Sequence, residues 1–479
     1  MDELKTNVLY YGDNLEILRK YIPDNSIDLI YLDPPFSSKK DYNIIFRKPT
    51  GKEPEAQIKA FSDTWHWESA KDTYDELLEK APENVAELIK AMYKGIDRND
   101  LMAYLVMMTI RLLGMKRVLK DTGSLYLHCD PTASHYLKLV LDQVFGPKSF
   151  RNEIVWCYRA GGVPKKGYPR KHDTLFFYTK TKGLDFTFNP EYVPYTKGTV
   201  ERGLTKVKGK YFAKGLRTEG TPIQDWWVDL QKVLSPTARE TLGYPTQKPL
   251  SLLERIIKAS SNEGDVVLDP FCGCGTALVA AQKLNRRWIG IDITYLAIEV
   301  MQKRLKDSFP GIQFEIEGLP KDLEGARALA DRSRTQFELW ALGLVGAKPL
   351  GKRDGGVDGV IDFQEDATNW AKVAVQVKSG IVTPGLIRDL EGVLANKNYA
   401  IGIFMTLNPP TSGMKREAAD AGRYRHPFFG QDYPKIQILT IEELLRGEKP
   451  NLPPRRAGLL PDAPKLSKEQ GEQIALEGS

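Results

Sequence analysis

Ile27-Asp28-Leu29-Ile30-Tyr31-Leu32-Asp33-Pro34-Pro35-Phe36 is an apolar run that stops at an acid, two prolines and an aromatic ring. A continuous apolar run of this length suits a strand buried on both faces of a parallel sheet. The prolines end the ladder because neither can donate an amide hydrogen, so Asp33 is left at the strand's carboxyl end. Ligands of open α/β sheets bind at that edge. A carboxylate beside a rigid backbone and the Phe36 ring is therefore placed for chemistry, although Asp-Pro-Pro by itself also reads as an ordinary turn.

On the N-terminal side, residues 8–22 read as a short strand, a Gly12-Asp13 turn and an amphipathic helix capped by Asp13 or Asn14. On the other side, residues 101–119 (helix), 123–128 (strand), 133–145 (helix), 154–158 (strand) and 174–179 (strand) continue an alternation that implies a doubly wound sheet. Residues 265–269 are a second buried strand, ending in Pro270-Phe271-Cys272-Gly273-Cys274-Gly275-Thr276. Gly273 and Gly275 let backbone approach a ligand closely, and a helix from Thr276 presents its amino terminus there. Residues 287–292 form the next strand and end in Asp292. Loop, helix, strand and acid make the nucleotide-type pattern in which the carboxylate holds ribose hydroxyls.

Two stretches break the alternation. Residues 37–110 are charged, carry Trp65 and Trp67, and are mostly helical in pattern after Asp72; they read as an insertion facing the substrate. In residues 181–240 Gly and Lys recur among Phe186, Phe188, Tyr192, Tyr211, Trp226 and Trp227. Cations interleaved with rings suit a nucleic-acid surface, the plain alternative being a solvated, loop-rich excursion.

With 479 residues, the sequence is too long for one ordinary core, so about two or three domains are expected. Hydrophobic residues make up 42% and charged residues 27%, the balance of a soluble globular protein. No apolar run reaches the length of a membrane span and residues 1–5 begin no signal peptide, so a cytoplasmic protein without a membrane partner is expected. Cys129, Cys157, Cys272 and Cys274 are too few and too irregular for a disulfide framework, and Cys272-Gly273-Cys274 lacks a second ligand pair for zinc. A formal charge of +6 leans towards a polyanionic partner. The sequence leaves the oligomeric state open, a dimer included.

With these pieces in order, the sequence resembles the amino-methylating DNA methyltransferases of the β group, which modify adenine N6 or cytosine N4 with S-adenosylmethionine. Asp33-Pro34-Pro35-Phe36 looks like the catalytic motif, and the stretch from Asp269 through Phe271, Gly273 and Gly275 to Thr276 looks like the cofactor loop. Thr246-Gln247-Lys248-Pro249 fits the motif that precedes that loop, and Asp13 resembles the position that meets the cofactor's adenine, its other role being the helix cap. The resemblance implies an α/β fold: a circularly permuted, Rossmann-like S-adenosylmethionine-dependent methyltransferase sheet with a helical insertion and a target-recognition insertion. It implies cofactor contacts from Asp13, Lys248, Asp269, Phe271, Gly273, Gly275, Thr276 and Asp292. It also implies double-stranded DNA as partner, with the target base flipped onto Phe36. Asp33 Oδ and the Pro34 carbonyl would accept the two amine hydrogens and free the nitrogen lone pair for the sulfonium methyl. An aspartate in the first motif position favours adenine N6; cytosine N4 is the alternative.

Residues 329–447 resemble the Mrr-like branch of the PD-(D/E)xK endonucleases, an α/β restriction-endonuclease-like domain. An acid followed in a later strand by an acid or amide, any residue and lysine suits a Mg²⁺ nuclease. The resemblance implies metal ligands Glu338, Asp358 and Gln376, with Lys378 orienting or activating water. Glutamine at 376 leaves the metal's charge less compensated, and a binding module without cleavage is the alternative. The expected organisation is 1–318 methyltransferase, with 37–110 and 181–240 inserted, then a linker at 319–328, the nuclease domain at 329–447 and a disordered tail at 448–479. Together these imply an adenine-N6 DNA methyltransferase fused to a nuclease as one restriction-modification polypeptide.

Overall fold

The structure, a computed structural model, describes residues 4–35, 41–46, 56–62, 67–159, 164–204, 216, 218–232, 247–350, 356–365 and 369–453. Within them Ile27–Leu32 is a strand, fifth of nine in a sheet of spatial order Trp226–Trp227, Phe150–Cys157, His172–Thr179, Leu119–Cys129, Ile27–Leu32, Val266–Asp269, Arg287–Asp292, Val8–Tyr11, Glu315–Glu317. His172–Thr179 runs antiparallel to both neighbours; the other pairings are parallel. The one charge inside the first apolar run is compensated: Asp28 takes an ion pair from Lys120 at 2.8 Å and a hydrogen bond from the Val266 amide at 2.9 Å.

Strand side chains alternate between two apolar layers, as a sheet period of two requires. Leu29, Tyr31, Tyr126, Phe177 and Val267 meet the helices Leu250–Ser260, Thr276–Lys283 and Tyr295–Ser308. Ile30, Leu32, Leu125, Leu127 and Leu268 meet Asn14–Tyr21, Asp100–Val118 and Ser134–Phe145. Four neighbouring parallel strands end at one edge, where Asp33 follows the first, Asp269 and Asp292 close the next two, and Gly12-Asp13 follow the fourth.

The stretch read as an insertion is partly core. Asp100–Val118, capped by Asn99 on the Met102 amide at 3.0 Å, is buried on nearly every side, Met102 through Leu105, Met108 and Leu112 being fully enclosed. A helix apolar all round must be covered all round, so residues 100–110 belong to the sheet's second layer. Residues 41–46 and 56–62 pair as an antiparallel hairpin, which the helical pattern did not suggest. In the 181–240 stretch part of the aromatic content is also structural. Phe188 stacks on Phe177 with ring centroids 6.0 Å apart, Phe186 lies beneath the Arg151 guanidinium, and Trp227 is a buried edge-strand residue. Trp226 beside it is 57% exposed. Phe36, Thr246 and Tyr211 lie outside the described residues.

The C-terminal unit is a five-stranded sheet of order Lys348–Pro349, Gly359–Gln364, Trp370–Lys378, Ile401–Thr406, Ile436–Thr440, antiparallel at its first two pairings and parallel at the rest. Arg334–Leu344 covers one face through Phe337 and Trp340, and Pro384–Lys397 covers the other through Ile387, Leu390 and Leu394. The stretch expected as a linker is not free chain. Helix Leu323–Arg332 begins inside it and buries Ala326, Leu329 and Ala330 in an apolar layer continuous with both sheets. The expected tail also begins with ordered contacts, since Asn451 and Gln437 exchange two hydrogen bonds of 2.8 Å; residues 454–479 lie outside the described residues. Among the described residues no helix is long and apolar enough to cross a membrane, and all four cysteines are free.

Glu299 sits on Tyr295–Ser308, the helix that packs against Arg334–Leu344, and burial pushes its carboxyl up to about 7. The folded state then holds a proton that the unfolded chain releases near 4.5, so stability is full below that pH and falls as pH rises towards 7. Glu299→Gln should raise the urea midpoint at pH 8 and change it little at pH 4.5; equal shifts at both pH values would contradict this assignment.

Candidate active site

A cavity of about 280 Å³ opens at the shared strand edge. It brings together residues drawn from four separate parts of the chain: Asp13, then Asp33 with Pro34 and Pro35, then Lys248, then Asp269 with Phe271, Gly273, Thr276 and Asp292. Gly275 stands between two lining residues as the N-cap of Thr276–Lys283. All the expected methyltransferase-site residues that are described therefore gather at this one place.

Asp33 is 15% exposed, and its two oxygens differ. Oδ2 accepts from the buried Lys248 ammonium. Oδ1 is buried with no hydrogen-bond partner. A buried acceptor left unmade costs about 1–3 kcal/mol, so such an atom calls for a functional explanation. Lys248, expected on the cofactor side, is thus first of all the partner of Asp33.

The glycine loop is held by its neighbours. Asp292 accepts from the Gly273 amide at 3.0 Å, the Thr294 amide at 2.9 Å and the Thr294 hydroxyl at 2.8 Å. Burial pushes its carboxyl up, and these donors oppose the shift. Burial also raises Asp269 well above the carboxylate range, against the pull of the Phe271 amide. The buried Arg304 donates to the Cys274 carbonyl at 3.0 Å and to Thr276 Oγ1 at 2.9 Å. Gly275 has φ +75°, and a Cβ there would lie 2.8 Å from Met301 Cγ; both facts demand glycine.

Opposite the loop, Asp13 does cap its helix, accepting from the Leu15 amide at 2.7 Å while lining the cavity. Arg111, 3% exposed, donates to Asp13 Oδ2 and Asn14 Oδ1, each at 2.6 Å, and Asn14 donates to the Pro270 carbonyl at 2.8 Å. The first turn of the chain is so tied to the cofactor-type loop. A lone arginine in the apolar run Met107-Met108-Thr109-Ile110-Arg111-Leu112-Leu113 was the available signal.

A second buried polar chain lies behind Tyr31, which also lines the cavity. The Tyr31 hydroxyl and His128 Nδ1 share a 2.9 Å hydrogen bond, and His128 Nε2 meets Asp173 Oδ2 at 3.3 Å. With Nε2 protonated towards the acid, Nδ1 accepts from tyrosine. Tyr158 donates to the other Asp173 oxygen at 2.9 Å, and Lys232 lies 3.1 Å from Oδ2. Burial works against the Asp173 carboxylate; the His128 hydrogen bond and the cations Lys232 and Lys248 outweigh it and hold the carboxyl well below its usual range. This chain joins three strands and the 181–240 segment, and only cross-strand pairing brings it together.

In the C-terminal unit Asp358 Oδ2 accepts from the Val377 amide at 2.7 Å and lies 3.9 Å from Lys378 Nζ. Burial raises the Asp358 carboxyl, the amide and Lys378 pulling against it. Gln376 stands two residues before Lys378 on the same strand, and its Oε1 is buried without a partner. Glu338 lies on Arg334–Leu344, which packs against that strand. Among the described residues no group of three or more His, Cys, Asp or Glu side chains forms a metal cluster.

Two sheets of this kind, the first with a glycine loop and acids at one strand edge, make a nucleotide-type α/β unit joined to a second α/β unit. Residues 27–303 match the DNA methylase family, and the chain belongs to it. Residues 338–446 match the Mrr-type restriction endonuclease family, as the sequence resemblance implied. The chain is 30% identical over 312 residues to the type II methyltransferase M.HpaI of Haemophilus parainfluenzae, covering 64% of this chain and 77% of that one. It is 30% identical over 306 residues to the DNA adenine methyltransferase YhdJ of Escherichia coli (strain K12), covering 64% and 83%. Among solved structures, the cytosine-N4-specific PvuII DNA methyltransferase aligns over 62% of this chain and 85% of its own, with 14% identity and a TM-score of 0.37.

Arg111→Met keeps an unbranched aliphatic stem and removes the hydrogen bonds to Asp13, Asn14 and the Met107 carbonyl. Unfolding free energy should fall by ~1–3 kcal/mol, the scale for buried bonds to charged groups. Denaturant titration of the two proteins measures it, and an unchanged midpoint would remove Arg111 as the tie.

Proposed function

We propose that the N-terminal unit transfers a methyl group from S-adenosylmethionine to adenine N6 in double-stranded DNA, within a restriction-modification polypeptide. The observation that carries this reading is the orphaned Asp33 Oδ1 in the same cavity as the glycine loop and Asp292. The residues present fit the cofactor: a loop with amides and glycines at a helix amino end, Phe271 as an apolar wall, and acids at Asp13 and Asp292 for amino and hydroxyl donors. When bound, it supplies an electrophilic sulfonium methyl.

Everything else falls to the chain's own groups. An exocyclic amine is a poor nucleophile because its lone pair is delocalised into the base. Asp33 Oδ1 accepts one amine hydrogen and the Pro34 carbonyl accepts the other, which draws the nitrogen towards tetrahedral geometry. Lys248 fixes Oδ2, so the carboxylate presents one defined oxygen. The base must leave the duplex to reach this edge, and Phe36 is the ring proposed to stack on it. Residues 181–240, with Trp226 exposed, are proposed to contact the DNA. We read the chain order, catalytic strand before glycine loop, as a circular permutation of the methyltransferase sheet. Adenine is favoured by Asp33 as first motif residue; cytosine N4 would use the same two acceptors, and sequencing modified bases in a methylation-free host separates them.

For the C-terminal unit we propose Mg²⁺-dependent DNA cleavage. The orphaned Gln376 Oε1 beside Asp358 offers oxygen donors of the kind that hard cations take, and Lys378 is within reach to position water. Glu338 is the proposed third ligand. With glutamine in place of a carboxylate, a binding module without cleavage is the competing outcome.

Asp33→Ala should abolish methyl transfer, a loss above about 1000-fold, while cofactor binding by calorimetry stays near wild type. Near-native turnover would sink the mechanism. Asp358→Ala and Lys378→Ala should each remove divalent-ion-dependent nicking of plasmid DNA and leave methylation intact. If the unaltered protein cuts neither methylated nor unmethylated plasmid over a range of divalent ions, the C-terminal unit binds without cleaving.

A further inference from the structure

One side chain of the C-terminal unit reaches the rim of the cavity. Gln336, in the first turn of Arg334–Leu344, accepts through its side-chain oxygen from the Tyr295 backbone amide at 3.0 Å and from the Tyr11 hydroxyl at 3.4 Å. Tyr295 directly follows the cavity-lining segment Asp292-Ile293-Thr294, and Tyr11 directly precedes the lining residues Gly12 and Asp13. A single acceptor thus joins the two segments that place the candidate ribose acid and the candidate adenine acid. The two are also tied through the Gly12 amide to the Asp292 carbonyl at 2.9 Å, which makes them neighbours along one rim.

The acceptor is itself fixed. Ser333 caps the helix on the Gln336 amide, and the Arg332 guanidinium sits 5.8 Å from the centroid of the Tyr11 ring. Further along the helix, a Cβ on Gly343 would lie 2.1 Å from the Tyr295 hydroxyl oxygen, so the helix approaches as closely as a missing side chain allows. Glu338, the proposed nuclease acid, stands two residues beyond Gln336 on the same helix.

We propose that Gln336 is a positioning residue for the cofactor cavity, and that through it occupancy of the cavity and the order of helix Arg334–Leu344 are linked. The proposal rests on reading the cavity as the S-adenosylmethionine site. A ligand that prefers the rim geometry held by Gln336 must stabilise the helix that holds it, because binding linkage is reciprocal.

The test uses the full chain. Calorimetric titration with S-adenosylmethionine should give a Kd about tenfold weaker for Gln336→Leu, the scale of two neutral hydrogen bonds. KM for the cofactor should rise in parallel while kcat at saturation stays within about twofold, since the reacting atoms are untouched. Gln336→Glu keeps an acceptor and should recover affinity to within about threefold of wild type. Tyr11→Phe removes one bond from the other side, and adding it to Gln336→Leu should cost nothing further. Amide exchange in residues 334–344 should slow with cofactor in the wild type and not in Gln336→Leu. If the wild type binds and Gln336→Leu binds equally well, or if exchange there ignores the cofactor, the proposal is overturned and the cavity reading stands. Wild type that fails to bind S-adenosylmethionine overturns the cavity reading and the proposal with it.

Discussion

Three carboxylates meet at one buried strand edge, and the architecture around the cavity follows from keeping them there. Asp33, Asp269 and Asp292 come from adjacent parallel strands and line one cavity, where partial burial weakens the screening of their repulsion by water. Each is answered by a different device. Asp33 has the ammonium of Lys248, Asp292 has two amides and a hydroxyl, and Asp269 has one amide and is pushed towards its neutral form. The loop after Asp269 is bent so that the Phe271 amide faces Asp269 and the Gly273 amide faces Asp292. Its shape is held by the acids. Asp33 Oδ1 alone among their oxygens is both buried and without a hydrogen-bond partner.

The strands that carry these acids were legible in the sequence because parallel strands buried on both faces are continuous apolar runs, and two of them run into a proline, which cannot extend a ladder. The residues from 265 to 292 likewise announced loop, helix and strand through glycine placement. What the sequence hid was contact between distant segments. His128 and Asp173 carry no signal of each other in the sequence, and only the antiparallel pairing of His172–Thr179 with Leu119–Cys129 brings them within reach. Arg111 was visible as an oddity in an apolar helix, but its partners lie nearly a hundred positions earlier. Aromatic content hid a second role. Phe186, Phe188 and Trp227 suggested a surface for bases, and each proved to have a packing partner within the protein.

In the C-terminal unit the pattern of strand, acid and lysine was readable, and Asp358 and Lys378 do meet. The boundary was not. A linker is recognised by polarity and breakers, yet residues 323–332 alternate small apolar and charged side chains at helical spacing, and their apolar stripe is buried in the layer shared by both sheets. The layer that includes Leu9 and Tyr11 runs through Ala326 and Leu329 to Phe337 and Val375 without interruption.

That shared layer makes the joint between the units something other than a tether. Two domains on a flexible string can be exchanged, separated or re-ordered, because each keeps its own solvent-facing surface. Here a cut near residue 320 would uncover oily surface on both products, so neither half is a ready-made part. Recombination could replace the endonuclease-like unit only with another that brings a helix matching Tyr295 and Tyr11. The fusion therefore keeps the two units together as one piece, at a fixed ratio of one to one.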